Sequence, residues 1–203
     1  MLLAVAVGAA ACGGGASGDD DDVGDDAGPP ADASPASVKA RIKFKGNDRL
    51  RNEFARALAL EPAEVCTELG QYSCTHLVHQ VALGGAEPYG LGLHEALPFT
   101  TVTTPIAVDR LALFACRERV DRDLAGAGGA VIYDGIDAGA DARRGAIVTL
   151  YRRALTRDPT EDEIGHLEQL YTDVAAADPA AADRSWAIAS CFAVTTTMEQ
   201  LFY

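Results

Sequence analysis

The feature that most limits how this chain can fold is the segment of residues 13–37, which has almost no apolar side chains. The segment is built from Gly, Ala, Ser, Asp and Pro, with a single Val and no aromatic residue. Because so little apolar surface is available to offset the entropy lost on ordering, we predict that it is disordered. Its Asp residues repel one another and its prolines stiffen the backbone, so we expect an extended tether. A folded core must therefore come from residues 38–203.

The negative charge of the chain is concentrated in this tether. The whole chain carries −13, but seven of its 30 acidic residues and none of its 17 basic residues precede Val38. The rest of the chain therefore carries 17 minus 23, or −6. A net-negative body without a basic stripe repels phosphate backbones, which argues against nucleic-acid binding. Electrostatic docking to an anionic membrane is disfavoured for the same reason.

The N-terminus has the pattern of an export signal. Residues 2–11 form an apolar run of signal-peptide length, too short to span a bilayer, and small residues 9–11 lead into Cys12 and three glycines. This arrangement resembles the lipobox of bacterial lipoproteins, which implies cleavage before Cys12 and attachment of lipid to it. The alternatives are a plain secretory signal in which Cys12 has no role, and an apolar N-terminus that is never cut. The predicted organisation is a signal peptide (1–11), a lipidated cysteine with its tether (12–37) and a helical domain (38–203).

The other cysteines fit an exported protein. Cys66, Cys74, Cys116 and Cys191 are even in number, which outside the cytosol indicates two disulfides among three possible pairings. We favour Cys66 with Cys74, which would close a short loop between two helices, and Cys116 with Cys191, which would join two buried helices. We expect the protein to be anchored in the cell envelope, at the outer membrane or cell surface rather than the inner membrane.

A metal site is the alternative interpretation of the segment after Cys66. Cys74, His76 and His79 lie within six residues, and Cys66 offers a fourth ligand. In a helix starting near Ser73, however, the side chains of Cys74 and His79 point about 140° apart, so the ligands converge poorly. The sequence therefore favours no metal and no cofactor. A metal-dependent enzyme or accessory protein that uses His76, His79 or His94 as ligand or general base stays the second hypothesis.

The periodicity of apolar residues predicts a mainly all-α fold, an irregular bundle of about six helices with one long connecting loop. Prolines at first-turn positions, glycines after helix ends and a capping box from Thr160 to Glu163 mark the boundaries. Residues 131–133 are expected to form a short strand. The predicted helices cover residues 47–60, 62–70, 73–84, 105–124, 141–157, 160–177 and 178–203.

The long connection at residues 87–104 is the best candidate for a binding surface, since loops of this length often carry function. Its candidate contact residues are Tyr89, His94, Glu95 and Phe99. A further hypothesis is recognition of cell-wall glycan by exposed aromatic side chains. The aromatic residues considered for that role are Tyr72, Tyr89, Phe99 and Tyr133.

The last part of the chain carries a second resemblance. Residues 150–160, Trp186 and residues 191–203 are similar to the C-terminal region of large exported proteins of planctomycetes and myxobacteria, helical domains often found beside cytochrome-c modules. Gln200 stands where that family usually has Phe, and the haem-binding module is absent, so no redox role is implied. The resemblance implies an envelope protein and supplies no catalytic residue. We therefore expect a non-enzymatic binding or scaffold lipoprotein with an envelope protein as its partner.

Overall fold

The computed structural model describes residues 42–97, 100–126 and 129–203. The predicted signal peptide, Cys12 and the tether lie outside the described residues, and so does Phe99. The predictions made for them stay predictions.

The described chain is mainly helical, which confirms the predicted all-α class. Between the first part of the fold and its longest helix, the described residues 79–97 and 100–103 form no helix. This connection contains the predicted long loop. A small antiparallel hairpin pairs β1 (Thr67–Glu68) with β2 (Tyr72–Ser73). The helices are α1 (Asn47–Leu58), α2 (Thr104–Leu124), α3 (Ala140–Ala154), α4 (Glu161–Ala177), α5 (Ala182–Thr195) and α6 (Met198–Leu201).

Helix α5 lies at the centre of the bundle and packs against α2, α3 and α4. Its Trp186 is fully buried between the rings of Tyr133 and Tyr171, both edge-to-face, with centroids 6.3 and 6.0 Å away. The indole N–H donates to the carbonyl of Leu167 on α4 at 2.8 Å, so the one polar atom of the ring is satisfied. Burial of such a large side chain makes Trp186 a main contributor to the hydrophobic core.

Helices α1 to α4 lie close to their predicted ranges, and the start of α4 shows how a local sequence signal sets a boundary. In α4, the Thr160 hydroxyl accepts from the Glu163 N–H at 3.2 Å, and the Glu163 carboxylate accepts from the Thr160 N–H at 2.7 Å. This is the predicted capping box.

In the part of the chain that the structure describes, we find no helix with both the length and the apolar character needed to cross a membrane.

The helices predicted over residues 62–70 and 73–84 are wrong. The chain reverses at Leu69 and Gly70, which both adopt left-handed backbone conformations, and only one π-helical turn, Cys74–Val78, follows the hairpin. Cys66 and Cys74 lie at disulfide distance, with 5.5 Å between their Cα atoms, at the open end of this hairpin. The bridge therefore closes a β-hairpin rather than a connection between helices.

The single helix predicted over residues 178–203 is also wrong, because its threonines interrupt it. The Thr195 and Thr196 hydroxyls donate back to carbonyls one turn earlier, and the Thr197 hydroxyl caps α6 by accepting from the Gln200 N–H. Threonine side chains that bond to the backbone in this way compete with helix continuation. The break lets Phe202 run antiparallel to Phe44, which joins the two ends of the described chain.

The strand predicted for residues 131–133 is absent, and the segment is held in another way. The Asp123 carboxylate accepts the backbone N–H groups of Val131, Ile132 and Tyr133, at 2.9, 3.0 and 3.0 Å. A side chain therefore satisfies the donors that a neighbouring strand would otherwise satisfy.

Candidate functional site

The best candidate for a functional site is an apolar groove between α2 and α5, which we call the α2–α5 groove. It is open to solvent and has a volume of about 570 Å³. Apart from Asp109, Arg110 and Ser185, every lining side chain is apolar. The lining residues are Ile106, Asp109, Arg110 and Leu113 of α2, and Ser185, Ile188, Ala189 and Phe192 of α5.

The groove exists because α2 carries apolar residues on two faces. One stripe, which includes Val108, Leu111 and Ala115, is buried against the rest of the bundle. On the opposite face Ile106 is 62 % exposed and Leu113 is 50 % exposed. Contiguous exposed apolar surface of this kind on a folded domain marks an interaction site more often than isolated exposed residues do.

A disulfide fixes the spacing of the two helices that form the groove. Cys116 of α2 and Cys191 of α5 are fully buried, and their Cα atoms are 5.7 Å apart. This pair and the Cys66–Cys74 pair are the two pairings that the sequence favoured. Because the bridge links α2 and α5 covalently, it limits how far the two walls of the groove can separate, with or without a bound partner.

Ion pairs involve lining residues of the groove and their neighbours in sequence. Arg110, which lines the groove, donates to Glu68 of the hairpin at 2.8 Å. Further along α2, Asp121 lies 2.8 Å from Arg184, the residue before Ser185, and Arg117 approaches the same carboxylate at 3.5 Å. The arrangement, an apolar centre with a charged rim, suits an amphipathic helix that lays its apolar face into a groove.

Of the predicted binding-loop residues, Tyr89, His94 and Glu95 lie in the described part of the chain, and none of the three lines this groove. Tyr89 is 97 % exposed, and His94 and Glu95 are exposed as well, each on the long loop. The Glu87 carboxylate accepts the backbone N–H groups of residues 89–91, and the hydrogen bond from Leu91 is the first cause of a lowered Glu87 pKa. Glu87, which the sequence pattern did not single out, therefore organises this turn.

A second cleft lies where the later part of the loop meets the paired ends of the chain. It has a volume of about 550 Å³ and is lined by Leu97 and Thr100 of the loop and by Phe44 and Phe202, whose rings are 5.6 Å apart. The loop thus contributes to a cleft through Leu97 and Thr100, and the predicted residues Tyr89, His94 and Glu95 do not line it. Of the aromatic residues considered for glycan binding, Tyr133 is buried beneath the surface, whereas Tyr72 is exposed.

His76 and His79, the two histidines proposed as ligands beside Cys74, contact different carboxylates. His79 Nε2 is 2.8 Å from Glu68 Oε1, and His76 Nε2 is 3.6 Å from Asp48 Oδ1. Cys66 and Cys74, the other proposed ligands, are at disulfide distance from each other. Within the described ranges, no group of three or more His, Cys, Asp or Glu side chains has the geometry to hold a metal ion.

Comparison with known proteins found no match: no family model, no curated protein and no solved structure is similar to this chain. Its function must therefore be inferred from its own residues.

Proposed function

We propose that this chain is a cell-envelope lipoprotein whose helical domain binds a protein partner through the α2–α5 groove and has no enzymatic activity of its own. The apolar groove with its charged rim is the observation that carries the proposal. We infer that it receives an amphipathic helix of the partner, whose apolar side chains cover Ile106 and Leu113.

The location in the envelope is supported by the N-terminal sequence and by the cysteines. Residues 2–11 and Cys12 resemble a lipoprotein export signal, and the acidic segment that follows has the composition of a tether. Disulfides persist in oxidising compartments, which agrees with the two cysteine pairs found at bonding distance. A domain on a tether of about 25 residues can reach partners several nanometres from the membrane.

The groove supports a docking role better than a catalytic one because of the chemistry of its lining. The polar side chains at its surface are one carboxylate, one guanidinium already paired with Glu68, and one hydroxyl. General acid–base or nucleophilic catalysis needs a base held within hydrogen-bond reach of a nucleophile or substrate. A largely apolar surface instead gains free energy when a partner removes it from water.

Site-specific photo-crosslinking in native membranes tests this function. A photoreactive amino acid replaces Leu113 in the groove, and a matched variant carries it at Thr172, an exposed residue of α4. We expect a covalent adduct with a protein from the Leu113 position and none from the Thr172 position. Absence of any protein adduct at Leu113, or equal adducts at both positions, would contradict the proposed function.

A further inference from the structure

We infer that the partner of the α2–α5 groove is a second copy of this chain, docked across a two-fold axis that passes close to Leu113. This inference rests on the proposed docking function and adds the identity of the partner. It starts from Asp109 and Arg117, two charged residues on the exposed face of α2. Neither residue has a close ion-pair partner among the described residues of its own copy.

Asp109 lines the groove but forms no salt bridge with any residue that the structure describes. Arg117 is 69 % exposed and lies 3.5 Å from Asp121, a carboxylate that Arg184 holds more closely at 2.8 Å. Asp109 and Arg117 are eight residues apart, or about 12 Å along the helix, too far to pair with each other in one copy. Each side chain is therefore available to form an ion pair with an opposite charge on a partner.

The positions of these two residues are symmetric about Leu113. Asp109 precedes Leu113 by four residues and Arg117 follows it by four, so all three lie on one face of α2. If two α2 helices cross antiparallel at Leu113, Asp109 of each copy lies opposite Arg117 of the other. A two-fold interface forms every such contact twice, which gives two ion pairs around the apolar centre.

The same arrangement fills the groove. When α2 of the second copy lies along the groove, its Ile106 and Leu113 face α2 and α5 of the first copy, and the reverse holds by symmetry. Four helices then pack around one apolar centre at the shallow crossing angles that are common in helical bundles. The apolar residues that are exposed in one copy become buried in the pair.

The charge around the groove also suits a second copy. The domain as a whole carries −6, so two copies would repel each other over most of their surfaces. Among the charged residues that line the groove and the ion pairs described beside it, however, acidic and basic residues are equal in number, so this set carries no net charge. The acidic residues are Glu68, Asp109 and Asp121, and the basic residues are Arg110, Arg117 and Arg184.

Charge reversal tests this pairing in the full chain. Dissociation constants are measured by sedimentation velocity for the wild type, for Asp109→Arg, for Arg117→Asp and for the double variant. We expect the wild type to dimerise, and each single reversal to weaken the dimer roughly tenfold because two attractive pairs become repulsive. The double variant exchanges the two charges and restores the wild-type constant. Asp173→Arg on α4 changes the net charge by the same amount as Asp109→Arg and leaves the constant unchanged.

A wild type that is monomeric at all concentrations would overturn the inference, as would single reversals without effect or a double variant weaker than both. The Leu113 crosslink separates these failures from failure of the proposed function. A monomeric chain that crosslinks to a different protein through Leu113 overturns the second copy as partner but leaves the docking role intact. A monomeric chain without any protein adduct at Leu113 overturns both.

Discussion

Arg119 Nη2 lies 2.8 Å from Asp123 Oδ1, one turn apart on α2, and both side chains are buried in the core. The Asp123 carboxylate also accepts three backbone N–H groups from residues 131–133. Arg119 Nη1 donates to the carbonyls of Leu58 and Ala59 at the end of α1, at 3.4 and 3.3 Å. The pair therefore joins α1, α2 and the segment before α3. Hydrogen bonds to both side chains offset part of the cost of burying them, while the buried Arg119 Nε has no partner among the described residues.

We predict that Asp123→Asn destabilises the fold by about 3–5 kcal/mol, because it leaves the buried Arg119 cation without its counter-charge. Asn also presents one amide oxygen where the carboxylate accepts with two. Urea unfolding followed by fluorescence of Trp186, the single tryptophan, measures the free energy of unfolding. The matched control is Asp121→Asn on the same helix, whose half-exposed ion pairs are worth about 1 kcal/mol or less. Equal losses of unfolding free energy in the two variants would show that burial of the Arg119–Asp123 pair does not determine the size of the loss.

The two disulfides are expected to differ in their contribution to stability. The Cys116–Cys191 bridge closes a loop of 75 residues and the Cys66–Cys74 bridge a loop of eight. Loop-closure entropy gives about 4.5 kcal/mol for the longer loop and about 2.5 kcal/mol for the shorter. Replacing both cysteines of a pair by Ala therefore lowers the free energy of unfolding more for the longer bridge, measured by the same urea titration. The reverse order would contradict this ranking.

The stability of the fold is expected to depend on pH through Glu163. The hydrogen bond from Arg157 at 2.7 Å is the main cause that lowers the pKa of Glu163 from 4.5 to about 2. Between these two values the unfolded chain binds a proton that the folded chain does not bind. The contribution of Glu163 to stability is therefore complete above pH 4.5 and is lost as the pH falls towards 2.

Thermal unfolding of the wild type and of Glu163→Gln across this range checks the effect. We expect the wild type to be the more stable of the two above pH 4.5 and the difference to disappear near pH 2. A difference that stays constant over the whole range would mean that the ionisation of Glu163 is not coupled to folding.

Local signals in the sequence were sufficient for the helices whose ends are set by neighbouring residues. Thr160 and Glu163 cap α4 through hydrogen bonds that span three residues, so the boundary can be read from the sequence. The hairpin at Cys66–Cys74 was missed because its turn needs Leu69 at φ 52°, a conformation that a leucine rarely adopts. Here the disulfide and the strand pairing outweigh local preference.

The groove and the buried ion pair depend on tertiary packing and were harder to predict. Ile106 and Leu113 are apolar, and apolar residues on an amphipathic helix are usually assigned to the core. For Arg119 and Asp123 a signal was available. They are spaced i, i+4 and continue the stripe of Ala112 and Cys116, so the pattern places two opposite charges on the buried face of α2.

Intact mass spectrometry of the natively expressed protein, with and without reduction, tests the central claim most directly. The proposed lipoprotein would lack residues 1–11 and carry a lipid on Cys12. Reduction would increase its mass by two hydrogen atoms for each of its two disulfides. A Cys12→Ser variant would lack the lipid and is expected to leave the membrane fraction. A wild-type protein that retains Met1, or one that is cut but carries no lipid, would contradict the proposal that this helical domain is displayed from a membrane through Cys12.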